Sequence, residues 1–200
     1  MRGVQRGFSL IELLISTAII VAVAAVVIVR FSTFDSATLL KSIAYEIAAT
    51  IREAQVHSVS VVGSTDPNFR YPYGVTFAPG SDSYTAFQYR DTDRLVIPEY
   101  NLAAATPRVT TIGTYAIGRS MHIVETCVMI SSVENCDVGR LDISFRRPEF
   151  KALFNAVPSS GSINNSDIES AQIKLQSRNG GDKWVVSVGL LGNVSVYREP

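Results

Sequence analysis

Few residues of this sequence are of the types that carry catalysis or bind metal ions. Its 200 residues include two histidines, His57 and His122, and two cysteines, Cys127 and Cys136. Neither histidine lies in a known nucleophile motif, and the sequence has no glycine-rich phosphate-binding pattern. The two cysteines lack the short spacing and the further ligands of a zinc site. We therefore expect no enzyme activity, no metal site and no cofactor.

One carboxylate is notable because of its surroundings. Residues 8–29 form an apolar run in which Glu12 is the only ionisable side chain. As a helix, the run would be about 33 Å long, roughly the thickness of the hydrocarbon core of a bilayer. A carboxylate costs about 2.5–3.5 kcal/mol near the bilayer centre and less near its edge, and it usually marks a functional pairing.

The apolar run alone is also consistent with an ordinary membrane anchor or with a secretory signal peptide. Residues 22–24, Ala-Val-Ala, have the small-x-small pattern of a signal-peptidase site. Neither interpretation explains Glu12. Arg2 and Arg6 precede the run and predict a cytoplasmic N-terminus, with the chain after residue 29 outside the cytoplasm.

Type IV pilins and type II secretion pseudopilins have a processing site that resembles the segment RGFSLIE at residues 6–12. The resemblance implies that prepilin peptidase cuts between Gly7 and Phe8 and that the new Phe8 amine is N-methylated. It also implies that the Glu12 carboxylate pairs with the Phe8 ammonium of a neighbouring subunit during assembly. A buried pair of this kind helps to fix the register between apolar helices.

The same resemblance implies a location and a set of partners. The chain is expected in the bacterial inner membrane as a single-pass protein with its head outside the cytoplasm, and then in a pilus or pseudopilus filament. Its expected partners are other pilin or pseudopilin subunits, prepilin peptidase, the inner-membrane assembly platform, and membrane lipid before assembly. Many major pilins carry a proline near the end of the apolar run. The first proline here is Pro67, which favours a minor pilin or a pseudopilin over a major pilin.

Helical periodicity continues beyond residue 29 and predicts an amphipathic helix to about Val59. Because its apolar stripe must be covered, we expect it to pack on a sheet of the same chain. The expected fold class is α+β, a long N-terminal helix packed on an antiparallel β head. The predicted parts are a leader at 1–7, a membrane and assembly helix at 8–29, its amphipathic continuation at 30–62 and the head at 63–200. The stripe comprises Leu40, Ile43, Ile47, Ile51 and Ala54.

A helix break is predicted at residues 63–67, and the chain after it has the composition of short strands. In residues 141–145 and 171–175 apolar and polar types alternate, which predicts one solvated face for each strand. Residues 158–165 are predicted to form an exposed polar loop. The predicted strands are Tyr71–Ala78, Ser83–Tyr89, Arg108–Ile117, Met121–Ile130, Gly139–Arg146, Lys151–Phe154, Ser170–Ser177 and Lys183–Val188, with a last strand near Tyr197.

The head also resembles a narrower group, the H-type minor pseudopilins and the FimT-like minor pilins. The features that carry this resemblance are the segment Arg52-Glu53-Ala54-Gln55 near the helix end and the turn Gly192-Asn193-Val194 before the closing strand. Export of the head would permit a disulfide between Cys127 and Cys136, with two reduced thiols as the alternative. Closing that loop would add about 2–3 kcal/mol of stability.

The leading hypothesis is a structural subunit of a type IV pilus-like filament or a type II secretion pseudopilus. The alternatives are a minor pilin whose head binds DNA or another ligand, and a membrane-anchored periplasmic protein. A formal net charge of zero and the lack of a basic stripe weigh against nucleic-acid binding.

Two sites, at Asn164-Asn165-Ser166 and Asn193-Val194-Ser195, match a glycosylation acceptor pattern. A group of aromatic residues is expected in the core rather than on a binding face: Tyr71, Tyr73, Tyr84, Phe87 and Tyr89, near Arg70 and Arg90.

Overall fold

A computed structural model describes residues 9–59, 71–90, 97–101, 108–118, 120–146, 150–178 and 180–199, apart from the side chains of residues 28–36. Within these ranges one helix, α1 Leu10–Val59, is followed by ten strands and a short 3₁₀ helix, Asn165–Asp167. The predicted α+β class is confirmed. The strands are β1 Tyr73–Phe77, β2 Ser83–Tyr89, β3 Val109–Ala116, β4 Met121–Ile130, β5 Val133–Asn135, β6 Val138–Phe145, β7 Ala152–Pro158, β8 Ile168–Ser177, β9 Lys183–Gly189 and β10 Val194–Arg198.

The chain divides into two compact units, Met1–Leu39 and Leu40–Pro200. In the first unit the described helical side chains from Leu10 to Val27 are all exposed. The predicted leader at 1–7 and the predicted helix break at 63–67 lie outside the described residues.

In the second unit, two antiparallel sheets and the C-terminal part of α1 share one apolar core. The strand orders are β3-β2-β1-β6-β7 in the first sheet and β10-β9-β8-β4-β5 in the second. The predicted stripe of α1 is buried, since Leu40, Ile47 and Ile51 are each at most 2% exposed. These residues pack against apolar side chains of both sheets, such as Ile143 and Ile173. Burial of this stripe explains why the helix continues after the apolar run ends.

The first sheet carries a second, smaller apolar cluster. Phe87, Tyr89 and Val109 are buried together, and the ring of Tyr100 packs on that of Phe87 with centroids 5.4 Å apart. Phe87 of β2 lies opposite Gly74 of β1. The next pair along the two strands is Val75–Ala86, which faces the main core. Since neighbouring residues of a strand point to opposite faces, the segment 97–101 covers the face of the sheet turned away from the core.

The prediction of one solvated face was wrong for residues 141–145. All five residues are buried, including Asp142 and Ser144 at 0% exposure. Asp142 accepts hydrogen bonds from the Thr76 hydroxyl at 2.6 Å and from the Tyr100 N–H at 3.0 Å. It also accepts one from the Asn155 amide at 3.1 Å. Asp142 points away from the core as the alternation requires, but Tyr100 of the segment 97–101 covers it, and the Ser144 hydroxyl donates to the carbonyl of Leu153 in β7 at 3.4 Å.

Two details of the strand prediction also differ from the structure. Strand β7 reaches Pro158, so the predicted loop at 158–165 begins one residue later and ends in the 3₁₀ helix. Strand β5 was not predicted, because three residues with the sequence Val-Glu-Asn are too short to show a period.

Candidate assembly site and contacts of the head

The helix begins with a hydrogen-bonded cap immediately after the predicted processing site. The Ser9 hydroxyl accepts a hydrogen bond from the backbone N–H of Glu12 at 3.2 Å. Ser9 is therefore the N-cap, and Glu12 occupies the third helical position, as in a capping box. An acidic side chain in the first turn also interacts favourably with the helix dipole. The Ser-x-x-Glu spacing could have indicated this local role from the sequence.

The hydroxyl groups of Ser16 and Thr17 in the apolar helix form hydrogen bonds within the helix itself. The Ser16 hydroxyl donates to the carbonyl of Glu12 at 2.7 Å, and the Thr17 hydroxyl donates to the carbonyl of Leu13 at 3.0 Å. Such bonds within one helix leave no donor unsatisfied in an apolar environment. The Glu12 carboxylate, in contrast, has no ion-pair partner among the described residues. In an apolar environment this carboxylate would be stabilised by a cation from outside the described part of the chain or by a proton.

The helix around Glu12 is suited to an apolar environment. Residues Leu10–Val27 are long and apolar enough to cross a membrane, with a mean hydropathy of 2.7, and none of them is buried. Leu10 and Ile11 are 81% and 68% exposed, respectively. Gly7 and Phe8, the predicted processing and methylation residues, lie outside the described residues. The predicted pair of Phe8 and Glu12 therefore stays a prediction.

The structure joins Cys127 and Cys136 by a disulfide. Cys127 lies in β4, and the bond crosses the hairpin one position beyond the Val128–Asn135 pair of β4 and β5. Glu125 lies close to the two sulfurs, with the three potential ligand atoms within 4.8 Å of one another. A bonded sulfur is not a thiolate, so this group does not provide the soft ligands of a zinc site.

Removing the disulfide should destabilise the head. We expect the double variant Cys127→Ala/Cys136→Ala to lose about 2–3 kcal/mol of unfolding free energy, because the unfolded chain regains the freedom of the loop. Denaturant titration of the full chain in mild detergent, followed by the fluorescence of its single tryptophan, Trp184, measures the loss. Reduction of the wild type should lower its unfolding midpoint to that of the variant. An unchanged midpoint after reduction would show that the thiols are free.

A buried lysine connects both edges of the second sheet to its centre. The Lys174 ammonium lies 3.0 Å from a Glu134 carboxylate oxygen and 3.1 Å from one of Glu199. Burial lowers the pKa of Lys174, but the hydrogen bonds of Glu134 and Glu199 outweigh it and hold that pKa above its ordinary value. The hydrogen bond from Lys174 in turn lowers the pKa of Glu199. The predicted solvated face of residues 171–175 was wrong at Lys174, which is only 6% exposed beneath these carboxylates.

The last turns of α1 bind the turn between β9 and β10. The Arg52 guanidinium donates to the carbonyl of Val194 at 3.0 Å, and the Gln55 amide donates to the carbonyls of Phe150 and Gly192 at 3.2 and 3.3 Å. Gly192 has a positive φ of 83°, and a Cβ there would clash with the Phe150 carbonyl and the Gln55 amide. The two segments that carry the narrower sequence resemblance therefore contact each other.

The histidines and aromatic residues lie mainly in packed surroundings. His57 is half exposed, its ring stacks on Tyr73 with centroids 5.6 Å apart, and its Nε2 lies 3.6 Å from a Glu53 oxygen. His122 is partly buried in β4 and pairs in register with Gln176 of β8. As predicted, Tyr84, Phe87 and Tyr89 are in the core at 2%, 0% and 6% exposure, whereas Tyr71 and Tyr73 are only partly buried. Arg70 lies outside the described residues.

Comparison with known protein families gives a match at the N-terminus. A family model described as the prokaryotic N-terminal methylation motif matches residues 2–28, a range that includes Gly7, Phe8 and Glu12. No curated protein sequence and no solved structure matches the chain. The match supports the resemblance to pilins and pseudopilins and implies assembly with other pilin subunits. It also fits anchoring in the inner membrane by the one apolar N-terminal helix. Motif and helix together indicate a pilin-like or pseudopilin substrate of prepilin peptidase.

Proposed function

We propose that the chain is a structural subunit of a type IV pilus-like filament or a type II secretion pseudopilus. Prepilin peptidase cuts between Gly7 and Phe8, the Phe8 amine is N-methylated, and the mature chain assembles through α1. The observation that carries this proposal is the Glu12 carboxylate. It lies in the first turn of an exposed apolar helix, within the methylation motif, and no described residue neutralises it. Identical helices that pack with an axial offset would bring a Phe8 ammonium to each Glu12, and such non-closing contacts generate a fibre.

The head is that of an H-type, FimT-like minor subunit in this proposal. Its support is the direct contact of the helix end with the closing turn through Arg52, Gln55 and Gly192. Assembly through α1 leaves the two-sheet head to set the contacts of the subunit with its partners and with the assembly platform. The subunit is not an enzyme in this proposal, since among the described residues His57 contacts Tyr73 and Glu53 and His122 pairs in register with Gln176, rather than with a nucleophile.

The charges of the head do not favour DNA as its ligand. Several described cations are paired with carboxylates: Arg140 with Glu99, Lys174 with Glu134, and Lys183 with Glu199. Arg178 and Arg198 are likewise paired, with Asp82 and Asp182. A DNA-binding head needs cations that can exchange their counterions for phosphates.

The proposal is tested by the mass of the mature chain. Intact-mass analysis of the protein extracted from its membrane should give a chain that begins with N-methylated Phe8. Expression in a host without prepilin peptidase should give a chain that keeps residues 1–7. A mature chain that begins at residue 25, directly after the Ala-Val-Ala pattern, would instead establish a signal peptide and contradict the proposal.

A further inference from the structure

A groove opens between the end of α1 and the first sheet of the head. It has a volume of 290 Å³ and lies between helix residues such as Glu53 and His57 and the strands β1, β2 and β3. Tyr73 of β1 and Tyr115 of β3 contribute aromatic side chains to its lining, and Ile112 of β3 contributes an apolar one. Ile112 is 54% exposed, so the groove has an apolar surface that remains open to solvent.

The aromatic side chains of the groove are held in fixed positions. Tyr73 stacks on His57, and its hydroxyl accepts a hydrogen bond from the Gln88 amide at 2.9 Å. Tyr115 stacks on Tyr84, with centroids 5.3 Å apart. Rings that are held by neighbouring rings lose little freedom when a ligand binds, which lowers the entropic cost of binding.

One acidic side chain, Glu53, lines the groove, and the His57 ring lies beside it with Nε2 3.6 Å from a Glu53 oxygen. Among its described lining residues, Glu53 is the only acidic one, its side chain is 60% exposed, and no lysine or arginine is present. A carboxylate beside tyrosine rings is the chemistry that attracts organic cations.

We propose that this groove binds the side chain of an arginine presented by a partner protein. A volume of 290 Å³ lies just below the range of about 300–1,000 Å³ that is typical of pockets for drug-sized ligands, so the groove has room for one long side chain. The guanidinium can form two parallel hydrogen bonds with the Glu53 carboxylate and can stack on a tyrosine ring. Its aliphatic stem can lie along the apolar wall at Ile112 and Ala54. A lysine ammonium can also lie over a tyrosine ring, but it has no planar group to stack there and cannot form the paired bonds.

Binding of a blocked arginine to the full chain in detergent micelles tests the proposal. N-acetyl-arginine amide should cause saturable NMR shifts at Tyr73, Tyr115 and His57. N-acetyl-citrulline amide has nearly the same shape but no charge, and it should bind about tenfold more weakly. Equal binding of the two compounds, or saturable shifts confined to other parts of the chain, would overturn the proposal.

Two variants locate the charge that recognises the ligand. Glu53→Gln should weaken binding of the arginine probe about tenfold, whereas Glu46→Gln, an exposed position of the same helix outside the groove, should change it by less than about twofold. The unfolding midpoint of each variant shows whether the head is still folded. An unchanged affinity of a folded Glu53→Gln variant would refute the proposal.

Free arginine distinguishes a partner protein from a small molecule as the ligand, because it brings an α-carboxylate near Glu53. Tighter binding of free arginine than of the blocked probe would assign the groove to a small molecule and overturn the partner-protein proposal.

Discussion

Replacing Glu12 by glutamine should leave the chain processed and folded but exclude it from filaments. Glutamine keeps the size of the side chain and is also accepted at the third position of a capping box, so the start of α1 should be unchanged. It removes the charge that would neutralise a Phe8 ammonium between packed apolar helices, where an unpaired ammonium is strongly disfavoured. We expect a loss of incorporation of at least about tenfold, measured as the fraction of mature subunit in sheared filaments.

The matched control for this experiment is Ser9→Ala. It removes the cap hydrogen bond to the Glu12 N–H, at a cost of about 1 kcal/mol, but keeps the carboxylate. If Glu12 serves pairing between subunits, Ser9→Ala should incorporate nearly normally while Glu12→Gln does not. If Glu12 serves only the helix start, Ser9→Ala should be the more harmful variant. Normal incorporation of Glu12→Gln would contradict the pairing.

The largest loss of stability is expected from Asp142→Ala. The change leaves the Tyr100 N–H and the Asn155 amide without their acceptor in a position where Asp142 is 0% exposed. Buried donors without a partner cost about 1–3 kcal/mol each, so we expect a loss of about 3–5 kcal/mol in unfolding free energy. Asp142→Asn should lose less than about 1 kcal/mol. The asparagine oxygen can accept from both donors, and its amide can donate to the Thr76 hydroxyl. Denaturant titration of the three proteins measures the difference, and similar losses for Ala and Asn would contradict this account.

The same carboxyl group should make the stability of the head depend on pH. Burial raises the pKa of Asp142 above its ordinary value of 3.8, although the hydrogen bonds from Thr76, Tyr100 and Asn155 and the charge of Arg140 act in the opposite direction. Protonation is therefore easier in the folded chain than in the unfolded chain. The contribution of this group to stability is complete below pH 3.8 and is lost as the pH rises through the folded pKa. The stability of the wild type relative to Asp142→Asn should fall over that range, and a constant difference would refute the raised pKa.

The parts of this fold that follow from local patterns could be predicted from the sequence. The spacing of Leu40, Ile47 and Ile51 fixes which face of α1 is buried, because a helix repeats every 3.6 residues wherever it packs. Strands β2 and β4 are bounded by turn residues and have the predicted limits. The disulfide partners follow because the sequence has only two cysteines. The Ser9 cap was visible as a Ser-x-x-Glu spacing but was not predicted.

The features that depend on distant segments could not be predicted in this way. Alternation in β6 places Asp142 opposite to the core, but it carries no information about the segment 97–101 that covers this face. The same limit applies to Lys174, whose carboxylate partners come from β5 and from Glu199 after β10. The groove next to Glu53 arises from the separation of α1 and β3, and no local pattern of either segment encodes that separation.

Both cysteines of the chain are used in the bond across the β4–β5 hairpin. A single cysteine placed in the exposed loop after β7 would therefore be the one reactive thiol of the oxidised protein. Ser162 is exposed and lies in a loop of small polar residues, where substitutions are well tolerated. A maleimide dye attached to Ser162→Cys could then report on individual subunits in living cells while the apolar helix, the disulfide and the arginine-binding groove stay unmodified.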